Sequence, residues 1–345
     1  MSVLVDIVHP AHVHFYKHIV WELQRRGVST TIVARDKDVT CKLLDNYGFS
    51  YHRVGKSGHK NLIGYAAELL TRDLRLVTLA RRARARMILT RNPAGAQAAR
   101  LLGIHGVFDT DDGPAAGLHY HAAAPFAHVI TTPDCMRANL GAKHVRYPGY
   151  KQTAYLHPNH FRPNPAVLTH LGVAPGERYF IVRFVAMAAS HDGGESGLPQ
   201  ATRTEVVQRL GRLGKVFISC EPPVPEEFEG LLFRPPPELL HDALAYASLL
   251  VGDSQTMAAE AAVLGTPSLR VSSWTGRLDY LDELETRYGL TESFHPREVA
   301  RLFDRLETYA QHADPRALIR EGHQRMLEDK CDVAEWYTRY VMEHA

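Results

Sequence analysis

Residues 249–271, LLVGDSQTMAAEAAVLGTPSLRV, constrain the fold more tightly than any other stretch. An apolar run, Leu249-Leu250-Val251, meets a polar turn at Gly252-Asp253-Ser254. A small-residue segment follows over 256–264, Gly265-Thr266-Pro267 stops it, and Leu269-Arg270-Val271 resumes a strand pattern. Strand, turn, helix, turn and strand in so short a space point to a crossover between parallel strands. Ser254 and Thr256 are expected at N-cap positions, where a helix start presents unpaired N–H groups to an anion such as phosphate. Glu260 shares the face of Thr256 one turn deeper, where a carboxylate can accept both hydroxyls of a ribose whose phosphate sits at the helix start. Met257 joins the same candidate set. The alternative is a plain buried helix in which Ser254 and Thr256 only cap and Glu260 is solvated or paired.

The rest of the chain repeats the alternation. Residues 2–8 read as a buried strand, and His9-Pro10-Ala11 breaks it before an amphipathic helix over 12–26 that Gly27 ends. Strands at 29–34 and 50–54 flank a short helix at 39–47, giving βαβαβ and a doubly wound sheet. Further strands are expected at 87–90, 106–109, 128–131 and 145–147, with a short helix at 134–140. In the second half, strands are expected at 179–184, 215–219 and 231–233, with helices at 165–171, 200–213 and 235–247. Residues 278–345 read as helical. At 345 residues the chain exceeds usual single-domain size. We place one Rossmann-like domain at 1–150, a second at 151–325, and a C-terminal helix at 326–345 that crosses back to the first domain. The expected class is α/β, with two doubly wound domains facing across a cleft.

Composition excludes several classes. An apolar content of 45% with 23% charged residues is that of a globular protein rather than a disordered one. A net charge of +2 argues against a dedicated nucleic-acid binder. Cys41, Cys135, Cys220 and Cys331 are scattered and form no C-x-x-C pair, which suits reduced thiols in a cytoplasm. The expected location is cytoplasmic, with at most peripheral contact at a membrane surface: no signal peptide is evident, and no apolar run approaches the ~20 residues that span a bilayer. The helical stretch 62–86 carries Arg72, Arg75, Arg81, Arg82, Arg84 and Arg86, and reads either as a lipid-docking face or as a solvated one.

Ligands of open α/β sheets bind at the carboxyl ends of strands, so the turns there hold the candidate side chains. After the first strand come His9, His12 and His14. Their H-x-x-H-x-H spacing lacks a nearby carboxylate and scatters the last two over different helix faces, so no metal is expected. Arg91 follows another strand. Asp109, Asp111 and Asp112 crowd a further strand end, where mutual repulsion would leave one protonated and fit for acid–base work; a turn-forming acidic loop is the alternative. In the second half, Arg183 ends a strand ahead of a glycine-bearing loop around Gly193 suited to phosphate. Glu221, Trp274 and Arg277 occupy later strand ends.

Asp253-Ser254, Glu260-Ala261 and Leu264-Gly265-Thr266-Pro267 together resemble the nucleotide-sugar motif of GT-B-fold proteins. The match to UDP-N-acetylglucosamine 2-epimerases is gapless, and that to the N-acetylglucosaminyl transferases of peptidoglycan synthesis is looser. Ala11-His12-Val13 resembles the Gly-His-Val turn of GT-B glycosyltransferases. The whole chain is also similar to an uncharacterised prokaryotic family within that superfamily, through residues 6–14, 34–38 and 256–271. Three departures stand out: Gln255 and Thr256 replace two glycines of the epimerase pattern, His9-Pro10-Ala11-His12-Val13 replaces its Gly-Thr-Arg-Pro-Glu turn, and its His-Arg-x-Glu-Asn block is absent after Phe184.

The resemblance implies a metal-independent glycosyltransferase. Its partners would be a nucleotide-diphosphate sugar, UDP-linked, as substrate and a hydroxyl acceptor, lipid-linked in one version; no separate cofactor is implied. Ser254, Thr256 and the loop at Gly193 would hold diphosphate, Glu260 the ribose and Arg183 the leaving-group charge. His12 would deprotonate the acceptor, assisted by Asp109 or Asp111. The alternatives are a nucleotide-sugar 2-epimerase using the Asp109–Asp112 carboxylates, and a non-catalytic nucleotide-sugar binder.

Overall fold

The computed structural model describes residues 1–56, 62–174, 176–185, 197–220 and 223–345. They form two compact units, Met1–His160 with Lys330–Ala345, and Phe161–Asp329.

The first unit is built on a seven-stranded parallel sheet. Its strands are β1 (Ser2–Ile7), β2 (Ser29–Asp36), β3 (Tyr51–Lys56), β4 (Met87–Thr90), β5 (His105–Asp109), β6 (Val129–Pro133) and β7 (His144–Tyr147), in the order β3-β2-β1-β4-β5-β6-β7. β1 is buried along its whole length, as the apolar run of a strand covered on both faces demands. The helix Pro93–Leu102 lays Ala94, Ala98 and Ala99 against Leu4, Val54, Leu76 and Ile88 in one apolar cluster. Strand order reverses between β1 and β4, so the carboxyl ends of these two strands frame the crevice where this topology binds ligands.

The second unit holds a five-stranded parallel sheet of β8 (Tyr179–Phe184), β9 (Lys215–Cys220), β10 (Leu249–Gly252), β11 (Ser268–Val271) and β12 (Thr291–Phe294), ordered β12-β11-β10-β8-β9. Its switch point lies between β8 and β10. Tyr179, Ile181, Leu244, Leu250, Met257 and Ala261 share its core. Gly252 is required by the close pairing of β10 with β8, because a Cβ there would lie 2.2 Å from the Arg183 carbonyl oxygen.

Several expectations are corrected. The first unit runs ten residues past the boundary placed at 150, because the segment after Tyr150 packs on the helix Pro10–Arg25: Tyr155 stacks on His14 with ring centroids 5.6 Å apart. The helix Val333–His344 belongs to that same first unit, where the C-terminal helix was placed, with Tyr337 fully buried against Phe15 at 5.3 Å. No helix forms over 134–140. The strand expected at 231–233 reduces to a single bridge, Ile218 to Leu232. Pro235, Pro236 and Pro237 delay the next helix to Leu240–Tyr246. β12 interrupts the stretch read as helical. Among the described residues no helix is long and apolar enough to cross a membrane.

Candidate functional site

In the first unit, the turn after β1 opens the helix Pro10–Arg25. His9 caps it, its Nδ1 accepting from the Ala11 N–H at 3.2 Å, with Pro10 in the first turn where no N–H is needed. His12 is partly buried, and its Nδ1 faces the Val8 N–H at 3.4 Å. Burial first, then the charges of Arg91, His9, Lys151 and His119, hold its pKa well below the ordinary histidine value, so the ring is neutral. His14, by contrast, is a packing residue, buried between Tyr155 and the Tyr47 hydroxyl, which it meets at 3.4 Å. Asp6 at the end of β1 is sealed by Arg72 and by the Thr90 hydroxyl at 2.9 Å.

The acidic turn after β5 is a charge cluster, not a proton reservoir. Arg91 pairs with both Asp109 and Asp111, and Lys151 Nζ reaches Asp111 at 2.6 Å, all four side chains being buried. Burial alone would raise the Asp111 pKa, but Arg91 and Lys151 outweigh it and hold the carboxyl below the ordinary range. The expectation that one of the three carboxylates carries a proton near neutrality therefore fails at Asp111. Asp109 also accepts from the Tyr337 hydroxyl at 2.6 Å and from Thr131 at 3.2 Å, so its role is to fix Arg91. His119 Nε2 meets the Arg91 carbonyl at 2.9 Å, and Asp112 caps the short turn Gly113–Ala116 without a side-chain bond to it. Lys151 was missed; a lysine straight after a strand-ending Pro-Gly-Tyr was its sequence signal.

In the second unit, β10 delivers Asp253 and Ser254 to the start of the helix Gln255–Val263. Ser254 is the N-cap, its Oγ accepting from the Met257 N–H at 3.3 Å. Thr256 therefore lies inside the first turn rather than at a cap, and the Met257 side chain is buried in the core. Asp253 ties the loop after β8 to this turn, accepting from the Val185 N–H at 2.8 Å and pairing with Arg203 at 3.1 Å. Glu260 is buried one turn deeper and meets His241 Nε2 at 3.1 Å.

Arg183, Gly252, Ser254, Ala258 and Arg270 border one narrow gap at the β8/β10 switch point, closed to a water-sized group. Arg183 donates to Ser219 Oγ at 3.0 Å. Arg270 is only 1% exposed, and its guanidinium bonds to neutral partners, the Gln255 side-chain oxygen and Ser293 Oγ at 2.8 Å, leaving Nε without an acceptor. It makes no ion pair with a carboxylate among the described residues. A buried arginine without a paired carboxylate, beside a capped helix start, is a field that favours an anion. Sequence reading passed over Arg270, although a charge between Leu269 and Val271 in a buried strand was the signal. Trp274, partly buried, and Arg277, exposed, follow β11. Gly193 and Glu221 lie outside the described residues.

The family model described as a protein of unknown function, DUF354, matches residues 1–291. The chain belongs to the DUF354 family. No curated protein matches it by sequence. Among solved structures, this DUF354 member is similar to the UDP-GlcNAc 2-epimerase of Neisseria meningitidis bound to UDP-GlcNAc, at 12% identity and TM-score 0.72 over 99% of both chains. The UDP-GlcNAc 2-epimerase of Methanocaldococcus jannaschii aligns with 94% of this chain and 98% of its own, at 12% identity and TM-score 0.66. The spinosyn rhamnosyltransferase SpnG, complexed with thymidine diphosphate, aligns over 99% of this chain and all of its own, at 17% identity and TM-score 0.61. The likeness is one of fold, and it bears out the α/β, GT-B-type architecture expected of the sequence.

Proposed function

We propose that the chain is a glycosyltransferase that takes a nucleotide-diphosphate sugar at the second unit and passes the sugar to a hydroxyl acceptor. The observation that carries the reading is that Arg183 and Arg270 border, with Ser254, the capped start of the helix Gln255–Val263, so that a diphosphate at that helix start would feel both cations and the helix dipole. Diphosphate supplies the anion such a field favours, and the departing charge is stabilised by donors already in place. Glu260, oriented by His241, would accept the ribose hydroxyls. Because arginines and backbone supply the positive field, the transfer needs no metal. The bond from the anomeric carbon to diphosphate oxygen breaks, the acceptor oxygen bonds that carbon, and the hydroxyl proton passes to a base.

His12 is the proposed base. Its ring is neutral, the state a base must hold before it takes a proton. The 3.4 Å contact with the Val8 N–H is longer than a good hydrogen bond, so the tautomer that frees Nε2 is only weakly opposed. The 2-epimerase alternative loses support at Asp109 and Asp111, since both carboxylates are committed to Arg91. The epimerase of Neisseria meningitidis is bound to UDP-GlcNAc and SpnG is complexed with thymidine diphosphate, in keeping with a nucleotide-sugar substrate here.

The test is to incubate pure protein with UDP-, dTDP-, GDP- and CMP-sugars, with and without a panel of hydroxyl acceptors. Nucleotide release that requires an acceptor is expected. A changed sugar without acceptor would make the chain an epimerase, and binding without turnover would make it a non-catalytic nucleotide-sugar binder.

A further inference from the structure

We propose that the exposed face of residues 71–86, the later part of the helix Leu62–Arg82 and the turn beyond it, docks on a membrane surface rich in anionic phospholipid. Between residues 71 and 104 the sequence holds eight arginines and one acidic residue, Asp73, in a chain whose net charge is only +2. Two of the eight are committed inside the unit: Arg72 is buried on Asp6, and Arg91 on Asp109 and Asp111. Arg72 therefore leaves the basic face that the sequence suggested. Arg75, Arg81, Arg82, Arg84, Arg86 and Arg100 are exposed, and among the described residues none makes an ion pair or a side-chain hydrogen bond.

Helix geometry gathers these charges. Thr71, Leu74, Arg75, Thr78 and Arg82 are exposed at three- and four-residue spacing, while Leu76 and Ala80 turn into the core. Beyond the last turn, Arg84 stands in the left-handed region at φ 48°, where the Ala85 N–H closes back to the Ala80 carbonyl at 2.9 Å. Glycine adopts that conformation without steric penalty, yet the position carries another arginine. The macrodipole accounts for cations in the last turn, at Arg81 and Arg82, but not for Arg75, a turn and a half earlier, or for Arg84 and Arg86 beyond the helix.

Beside the helix runs β3, the edge strand of the sheet. His52 and Arg53 from β3 and Arg75 and Arg82 from the helix surround Val54 and Leu79 in an open groove that suits a phosphate headgroup. Leu74 and Leu101, on this helix and its neighbour, are 59% and 68% exposed. Unpaired arginines interleaved with exposed leucines match the two components of a bilayer surface, anionic headgroups and acyl chains. Single-stranded nucleic acid would call for aromatic stacking platforms, and among the described residues this face exposes no Phe, Tyr or Trp.

The inference stands apart from the nucleotide-sugar reading, and vesicle flotation of the full chain tests it. Binding is expected to vesicles of phosphatidylcholine mixed with phosphatidylglycerol, not to phosphatidylcholine alone, and to weaken as salt is raised. The triple variant R81S/R82S/R84S should partition on the order of a hundredfold less while still unfolding cooperatively, its melting temperature lowered by only a few degrees because all three side chains are exposed. L74S/L101S should weaken binding to anionic vesicles without altering its salt dependence. Equal binding to neutral vesicles, a triple variant that binds like wild type, displacement by millimolar inorganic phosphate, or tighter binding to RNA than to the anionic vesicles would each overturn the proposal.

Discussion

Glu260 Oε1 lies 3.1 Å from His241 Nε2, and both side chains are buried in the second unit. A carboxylate held in this way is aimed before a ligand arrives. Glu260→Gln preserves shape and a hydrogen-bond acceptor, so urea unfolding should shift by less than about 1 kcal/mol. UDP affinity by calorimetry should fall about tenfold or more, since a charge-assisted bond to ribose is lost. Wild-type affinity in this variant would remove Glu260 from the site.

Arg270 lacks a paired carboxylate, so its charge should be felt by a bound diphosphate. Arg270→Gln is expected to weaken UDP binding at least tenfold, while Arg270→Lys, which keeps the charge, should recover part of it. Equal losses in both variants would indicate a purely structural arginine. Ser254→Ala removes the cap on the Met257 N–H and should cost about 1 kcal/mol of stability. Excess EDTA should leave transfer activity unchanged.

Arg91 and Lys151 share Asp111. Asp111→Asn should therefore destabilise the first unit by about 3–5 kcal/mol, because buried Lys151 loses its counter-charge while Arg91 keeps only Asp109. The loss in the double variant with Lys151→Met should be less than additive. A variant that retained wild-type stability but lost turnover would restore Asp111 to a catalytic role.

Acid should loosen the first unit well before its carboxylates titrate. Burial, with help from Lys17 and His160, pushes His18 down to about 3, against the pull of Asp332. The unfolded ring takes a proton below about pH 6.5 and the folded ring does not, so stability falls as pH drops through the window from 6.5 toward 3. His18 alone should account for about 2 kcal/mol by pH 5. Urea midpoints at pH 7.5 and 5 should show this loss, and His18→Gln should reduce it. His12 shifts in the same direction, so a turnover that needs its neutral form should persist below pH 6.5.

What could be read from the sequence was local in origin. The apolar runs of β1, β8 and β10 and the Ser254 cap depend on neighbours a few residues away, so periodicity and turn chemistry disclosed them. β12 was hidden because Glu292 makes Thr291-Glu292-Ser293-Phe294 look polar. That carboxylate is neutralised by Arg305 and Tyr309, from a helix later in the chain. Likewise Asp109 and Asp111 stood out as residues, yet their charge state is set by Arg91, Lys151 and Tyr337, which only the fold brings to them. His241 carries no local mark at all; its importance comes from Glu260 on a different helix.

Tyr337 completes the first unit, donating to Asp109 across 228 positions of chain. On a ribosome, therefore, the unit encoded first cannot close until after the one encoded second has been made, since Phe161–Asp329 lies wholly within the interval. During synthesis Arg91, Asp109 and Asp111 must wait beside an unfilled core, and a stall or truncation between residues 329 and 337 would release a chain whose later-made half is finished and whose earlier-made half is not.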